Sequence, residues 1–273
     1  MADYDMFKKP VVYTVPGMEA VEVRRDLVYR RLPNGTELTE LKMDVYLPPG
    51  LPETERRPGV VFVHGGPIPA EVWEPIKHCG IFSSFGRLLA ASGFVAVNFS
   101  HRYIGFAEIE NSMANVEAAF AFLREGAAGF HLDADRLVAW VFSGGGTHIG
   151  PLLAARPPWL RCLVGYYTVM DLRPIRERIP GDLPEETLAR FCPVTVLPEA
   201  NYEGPALLIA RAGLDQPWLN ATIDAFVARA LAANALIDVL NHPRGHHGFD
   251  VLDDDDRSRE ILARTIDFVR SHT

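Results

Sequence analysis

The sequence is poor in cysteine, in basic charge and in long apolar runs, and each shortage removes a class of protein. Its three cysteines, Cys79, Cys162 and Cys192, are far apart and lack any Cys-x-x-Cys spacing. They read as reduced thiols, not as a disulfide frame or a zinc site. A formal net charge of −8, with no basic stripe, argues against nucleic acid and anionic membranes as partners. No stretch approaches the roughly eighteen uninterrupted apolar residues of a membrane span. The first residues, MADYDMFKK, hold no apolar core of a secretory signal, so the expected location is the cytoplasm. A Gly-x-x-x-x-Gly-Lys-Ser/Thr segment is missing as well, which excludes a P-loop.

What remains is a chain of 273 residues, 48% apolar, without internal repeats. That length suits one α/β domain with a large core. Leu41, Met43, Val45 and Leu47 alternate at period two. A Pro33-Asn34-Gly35 turn would pair them with the run around Leu27 to Tyr29 as a hairpin. Six later runs are apolar almost throughout: VVFV (60–63), FVAV (94–97), LVAWVF (137–142), CLVGYY (162–167), ALLIA (206–210) and ALIDVL (235–240). Such runs suit parallel strands buried on both faces.

Helical stripes separate the strands. Met113, Val116, Phe120 and Leu123 form one; Ile223, Phe226, Val227, Ala230 and Leu231 a second; Leu262, Ile266 and Val269 a third. The alternation predicts a mostly parallel α/β sheet of about eight strands with helices on both faces. Residues 170–204, with five prolines and no clean period, read as a short cap-like insertion. The whole chain, 1–273, is expected to form a single domain.

In open α/β sheets, reactive groups gather beyond the carboxyl ends of the strands. Four such places stand out. His64-Gly65-Gly66-Pro67 follows VVFV, Ser143 follows LVAWVF, Asp215 follows ALLIA, and NHPRGHHGF follows ALIDVL. Glycine loop, Ser, Asp, His is the chain order of a serine hydrolase built on such a sheet. A serine hydroxyl is a weak nucleophile until an imidazole takes its proton, and a carboxylate must hold that imidazole in the right tautomer. The helix after Ser143, expected to begin at Gly144, would aim backbone N–H groups at the reacting carbonyl. With Gly65 or Gly66, Gly144 forms the expected oxyanion hole. A Gly-x-Ser-x-Gly elbow has glycines two positions either side of its serine. Gly145 meets that requirement and Val141 departs from it.

HGGP at 64–67, ADRLVAWVFSGGG at 134–146, ARAGLDQPW at 210–218 and HHGFD at 246–250 together resemble the α/β-hydrolase fold. Within it the chain is most like the dienelactone hydrolase-like and carboxylesterase groups, over nearly its whole length. Dienelactone hydrolases carry cysteine at the elbow, so Ser143 points to plain ester hydrolysis. The resemblance places the base directly before Gly-Phe, which selects His247 over His246. It implies a serine hydrolase acting on a small carboxylic ester or lactone, with no metal or organic cofactor.

Competing readings attach to the same residues. Asp171 also follows a strand and rivals Asp215, which sits in a Gly-Leu-Asp turn before a well-formed helix. His242 and His246 have the four-residue spacing of a metal pair, but Pro243 and Gly245 break any helix there. Gly144, Gly146 and Gly150, with Asp171 about twenty residues on, imitate a dinucleotide fingerprint. Asp253 to Asp256 fit the positive end of the last helix better than a calcium site. Trp73, Phe82, Tyr103, Trp218 and Phe249 are expected at the rim of the site, where four of them (Trp73, Tyr103, Trp218 and Phe249) would contact substrate. An aminopeptidase-like serine peptidase or a non-catalytic binding protein on the same fold stay open, as does a homodimer.

Overall fold

A computed structural model describes residues 8–34, 37–69, 75–179 and 183–273. Eight strands form one sheet in the order β1-β2-β4-β3-β5-β6-β7-β8. β1 (Glu22–Asn34) and β2 (Glu37–Leu47) are the expected hairpin, paired antiparallel with Leu27 opposite Met43. Gly35 of the predicted turn lies outside the described residues. β2 also runs antiparallel to β4 (Val95–Phe99). From there to the far edge every pairing is parallel, through β3 (Arg57–Val63), β5 (Leu132–Phe142), β6 (Leu160–Tyr166), β7 (Ala206–Ala212) and β8 (Ile237–His242).

The runs that are apolar without alternation became strands covered on both faces. Every residue of β4 is buried, as are the last six of β3 and of β5. Trp140 sits fully buried at the centre of an aromatic cluster with Phe62, Phe85, Phe142 and Tyr166. Helix α1 (Gly80–Ala91) packs on β4 and β2, and α2 (Ile109–Glu125) on β1 and β5. The stripe Met113, Val116, Phe120 and Leu123 is buried on α2 as its spacing predicts.

Two expectations fail at the far edge. The ALIDVL run was expected to be buried on both faces, but β8 is the last strand and leaves Leu236 and Val239 exposed. Leu231, assigned to a helical stripe, is also exposed, whereas Ile223, Phe226 and Ala230 of the same helix are buried. Local periodicity carries no mark of which strand ends the sheet. Among the described residues no helix is long and apolar enough to cross a membrane.

The insertion folds as a 3-10 helix over Arg173–Arg178 and two short helices, Glu185–Phe191 and Pro193–Val196. The final helix, Asp256–His272, is capped by Asp255, whose carboxylate accepts from the Ser258 backbone N–H. This is the helix-terminus role expected of that acidic run.

Truncating the central aromatic tests where the core sits. Trp140→Ala is expected to lower unfolding stability by about 3–5 kcal/mol. Urea denaturation reads this, and a loss under about 1 kcal/mol would show the cluster to be peripheral.

Candidate active site

β5 ends at Phe142, and Ser143 follows with φ 51°, a left-handed backbone that is strained for a residue with a side chain. A 3-10 turn over Ser143–His148 leads into the helix Ile149–Ala155, so the turn opens tighter than the regular helix expected from Gly144. The glycines here are required by contact. A Cβ on Gly144 would lie 1.7 Å from the Gly66 carbonyl oxygen, one on Gly145 2.5 Å from that of His64, and one on Gly146 2.5 Å from that of Val169. Val141 meets no such restriction. It is buried in β5, registered between Val63 of β3 and Gly165 of β6.

Ser143 Oγ lies 2.8 Å from His247 Nε2, and His247 Nδ1 lies 2.6 Å from Asp215 Oδ2. The fitting tautomer has Nδ1–H donating to the carboxylate and Nε2 accepting the serine proton. Asp215 is also held from behind, its Oδ1 accepting from the Gln216 backbone N–H at 2.7 Å. The turns bearing acid and base are joined by their backbones. Gly213 N–H donates to His242 O at 2.8 Å, and Leu214 N–H to Gly245 O at 2.9 Å. A Cβ on Gly213 would sit 2.3 Å from the Pro243 carbonyl oxygen, which is why that turn takes glycine.

These groups open on a cavity of about 600 Å³. Gly66, Ser143 and Gly144 line one side, and Gly65 packs beneath against the Ser143 side chain. The apolar part of the wall comes from Phe106, Val169, Leu172, Ile175, Leu214 and Trp218, with Thr147, Gln216 and His246 as further polar lining. Leu172 and Ile175 belong to the insertion. Trp218 therefore stands where the sequence reading put it. Tyr103 and Phe249 do not: both are fully buried and neither reaches the cavity. Tyr103 lies against Gly66, and Phe249 packs on Tyr166, Tyr167 and His242. Phe82, also expected at the rim, is buried against His64 and Phe142. Trp73 lies outside the described residues.

The rival residues are engaged elsewhere. Both carboxylate oxygens of Asp171 are taken by the Arg173 guanidinium. His246, exposed at the cavity mouth, pairs through Nδ1 with Asp253 at 2.8 Å. His242 is buried, with Nε2 near Ser258 Oγ and Asp255. Among the described residues the cluster with metal-ligand spacing is Asp26, Asp44 and His78. The Lys77 ammonium fills it, 2.7 Å from Asp26 and 2.8 Å from Asp44.

Sequence reasoning overlooked Tyr167. It follows β6 with φ 40°, sets its ring 4.6 Å from that of His247, and donates its hydroxyl to Asp250 Oδ1 at 2.7 Å. His101 and His148 also lie outside the sequence motifs, His101 two residues beyond β4 and His148 at the end of the turn after β5. Burial pushes His64 down to about 4 and His148 to about 3, and holds His101 well below the usual imidazole range. Burial lifts the Asp250 carboxyl up to about 6.

A likeness to known proteins accords with this geometry. Residues 43–157 match the model of the BD-FAE family. No curated protein matches the chain. Among solved structures, esterase 2 of the planctomycete Thermogutta terrifontis in its native form superposes with TM-score 0.70 at 20% identity, over 93% of each chain. Its butyrate-bound form gives 0.69 at 20%, over 94% of each, and its paraoxon-phosphorylated form 0.68 at 20%, over 92% of each. The chain has the esterase-like α/β-hydrolase fold.

The buried histidines set an acid limit on stability. An unfolded histidine takes a proton near pH 6.5, whereas His64, His101 and His148 in the fold refuse it until far lower pH. Stability therefore falls as pH drops below about 6.5. Asp250, raised in the fold, binds its proton more tightly there than in the unfolded chain, and offsets one of the three below about 6. A net slope of roughly 2–3 kcal/mol per pH unit is expected around pH 5. Urea midpoints at pH 7, 6 and 5 measure it, and a flat series would contradict the neutral buried histidines.

Proposed function

We propose that the chain is a serine hydrolase that cleaves small, uncharged carboxylic esters or lactones. The observation that carries this reading is the Ser143–His247–Asp215 alignment, with contacts of 2.8 and 2.6 Å, opening on an apolar cavity. A second Ser–His contact, Ser112 to His148 at 2.9 Å, is no rival. Both residues are fully buried and neither lines the cavity.

In the proposed reaction the substrate carbonyl lies over Ser143. His247 Nε2 takes the hydroxyl proton as Ser143 Oγ attacks, and the carbonyl oxygen becomes an anion. Backbone N–H groups of Gly144 and of Gly65 or Gly66 are the proposed oxyanion donors, a contribution typically worth about 10²–10³ in rate per donor. His247 then passes its proton to the departing alcohol. It next activates water to release the acid from the acyl-enzyme, and Asp215 steadies the imidazolium at both stages.

Substrate class follows from the wall. Phe106, Leu172, Ile175 and Trp218 offer no charge to pair with a charged substrate group, and burying one there unpaired is costly. The butyrate and propionate forms of the Thermogutta enzyme support a short acyl chain. Leu172 and Ile175 make the insertion at 170–204 the proposed determinant of acyl length.

An ethyl fluorophosphonate probe is expected to label Ser143 and to stop turnover of p-nitrophenyl butyrate. Ser143→Ala should lose the label and at least about 10⁴ of kcat while keeping the thermal unfolding transition of the parent. An unlabelled, folded parent would point instead to a binding protein on this fold.

A further inference from the structure

Three buried histidines lie beyond the carboxyl ends of strands. His64 follows β3, His101 lies two residues beyond β4, and His148 closes the turn after β5. None lines the cavity, and each is at most 1% exposed. They are nevertheless linked in one chain of contacts. His148 Nδ1 lies 3.1 Å from Gly145 O, and His148 Nε2 2.9 Å from Ser112 Oγ. Ser112 Oγ lies 2.8 Å from His101 Nδ1, and His101 Nε2 3.2 Å from His64 O. The His64 ring stacks on His101 at 3.6 Å, and its Nδ1 reaches Gly65 O at 2.6 Å. The relay therefore runs from the backbone beside Ser143 to the backbone beside Gly66, through one hydroxyl on α2.

The contacts single out that hydroxyl. Both ends of the relay are carbonyl oxygens, which only accept. His101 therefore carries its proton on Nε2, whereas His148 Nδ1 faces both Gly145 O at 3.1 Å and the Thr147 hydroxyl at 3.4 Å, so either His148 tautomer fits. The inner nitrogens both face Ser112: His101 Nδ1 accepts from its hydroxyl, and His148 Nε2 accepts from it or donates to it according to its tautomer. Ser112 Oγ is the shared side-chain partner of both inner nitrogens. Ser112 is thus the single group that joins the two halves of the relay.

The register pairs of β3 and β5 end at Val63 and Val141. Beyond them, the Gly65–Gly66 and Ser143–Gly145 backbones meet across bare glycines. The geometry points to Ser112, His101 and His148 as positioning residues that fix the separation of these two backbones, and with it the aim of the oxyanion donors. This inference rests on the serine hydrolase reading above. A rate advantage of preorganised donors depends on their being held before charge develops, and a side-chain relay buried away from water holds them at no cost to cavity shape.

The test begins with the unaltered chain, labelled by the fluorophosphonate and turning over p-nitrophenyl butyrate, so the underlying reading is judged before any variant is made. Ser112→Ala removes one oxygen atom and leaves both inner nitrogens without their shared partner. Its kcat is expected to fall about tenfold or more while KM changes less than about twofold, the pattern of an interaction felt only in the transition state. Inhibition by a trifluoromethyl ketone, whose tetrahedral adduct on Ser143 needs the same donors, should weaken by the same factor as kcat/KM. Ser112→Cys, a small side chain with a weak donor, should fall between the two. Rates are referred to the folded fraction read from thermal unfolding, which separates lost protein from lost aim. Wild-type kcat and ketone affinity in Ser112→Ala would overturn the inference, as would a fall in kcat that leaves ketone affinity unchanged.

Discussion

The interaction on which the site depends is backbone pressed against backbone where β3 and β5 run out. Gly144 and Gly145 lie so close to the carbonyl oxygens of Gly66 and His64 that a methyl group at either would overlap them. That proximity brings Gly66, Ser143 and Gly144 to the wall of one cavity. It also exacts strain, since Ser143 sits in a left-handed conformation that typically costs about 1–3 kcal/mol. The surrounding structure can hold it there because β5 is a central strand, paired on both sides, with its last six residues buried. A loop at the sheet edge would relax out of that conformation.

The same sheet explains how residues far apart in sequence meet. β3 to β8 are all parallel, so their carboxyl ends share one rim. Ser143 leaves β5, Asp215 leaves β7 and His247 follows β8, with β6 between the first two. Tyr167, just past β6, fills the gap under the His247 ring, and its hydroxyl is tied to Asp250 three residues beyond that histidine. The bonds between the β7 and β8 turns then lock Asp215 to His247. Serine is thus set by the centre of the sheet, while acid and base are set by its edge.

How much of this was legible follows from what each signal encodes. Unbroken apolar runs report burial on two faces, and they located β3 to β7 because those strands are internal. β8 carries the same run, but its exposure depends on having no ninth partner, a fact that lies nowhere in its own residues. The strand-end polar residues were legible because the reactive groups of this fold concentrate there. Aromatics nearby were not. Tyr103 and Trp218 both lie close to strand ends, and only the local backbone decides that one turns under Gly66 while the other faces the cavity. The Tyr167–Asp250 pair and the histidine relay escaped notice for a related reason. Each joins residues from separate elements whose spacing follows no period.

The missing first glycine of the elbow becomes intelligible in these terms. The positions on either side of the serine are spoken of together, but they answer to different neighbours. Gly145 faces a carbonyl oxygen that cannot move without displacing the His64 loop. Position 141 lies within the ladder, between Val63 of β3 and Gly165 of β6. Valine there continues the buried ladder of β5. Ser143 is left with the same left-handed turn and the same reach to His247. The close backbone approach therefore rests on the glycines that follow the serine, and a strand residue can stand two positions before it.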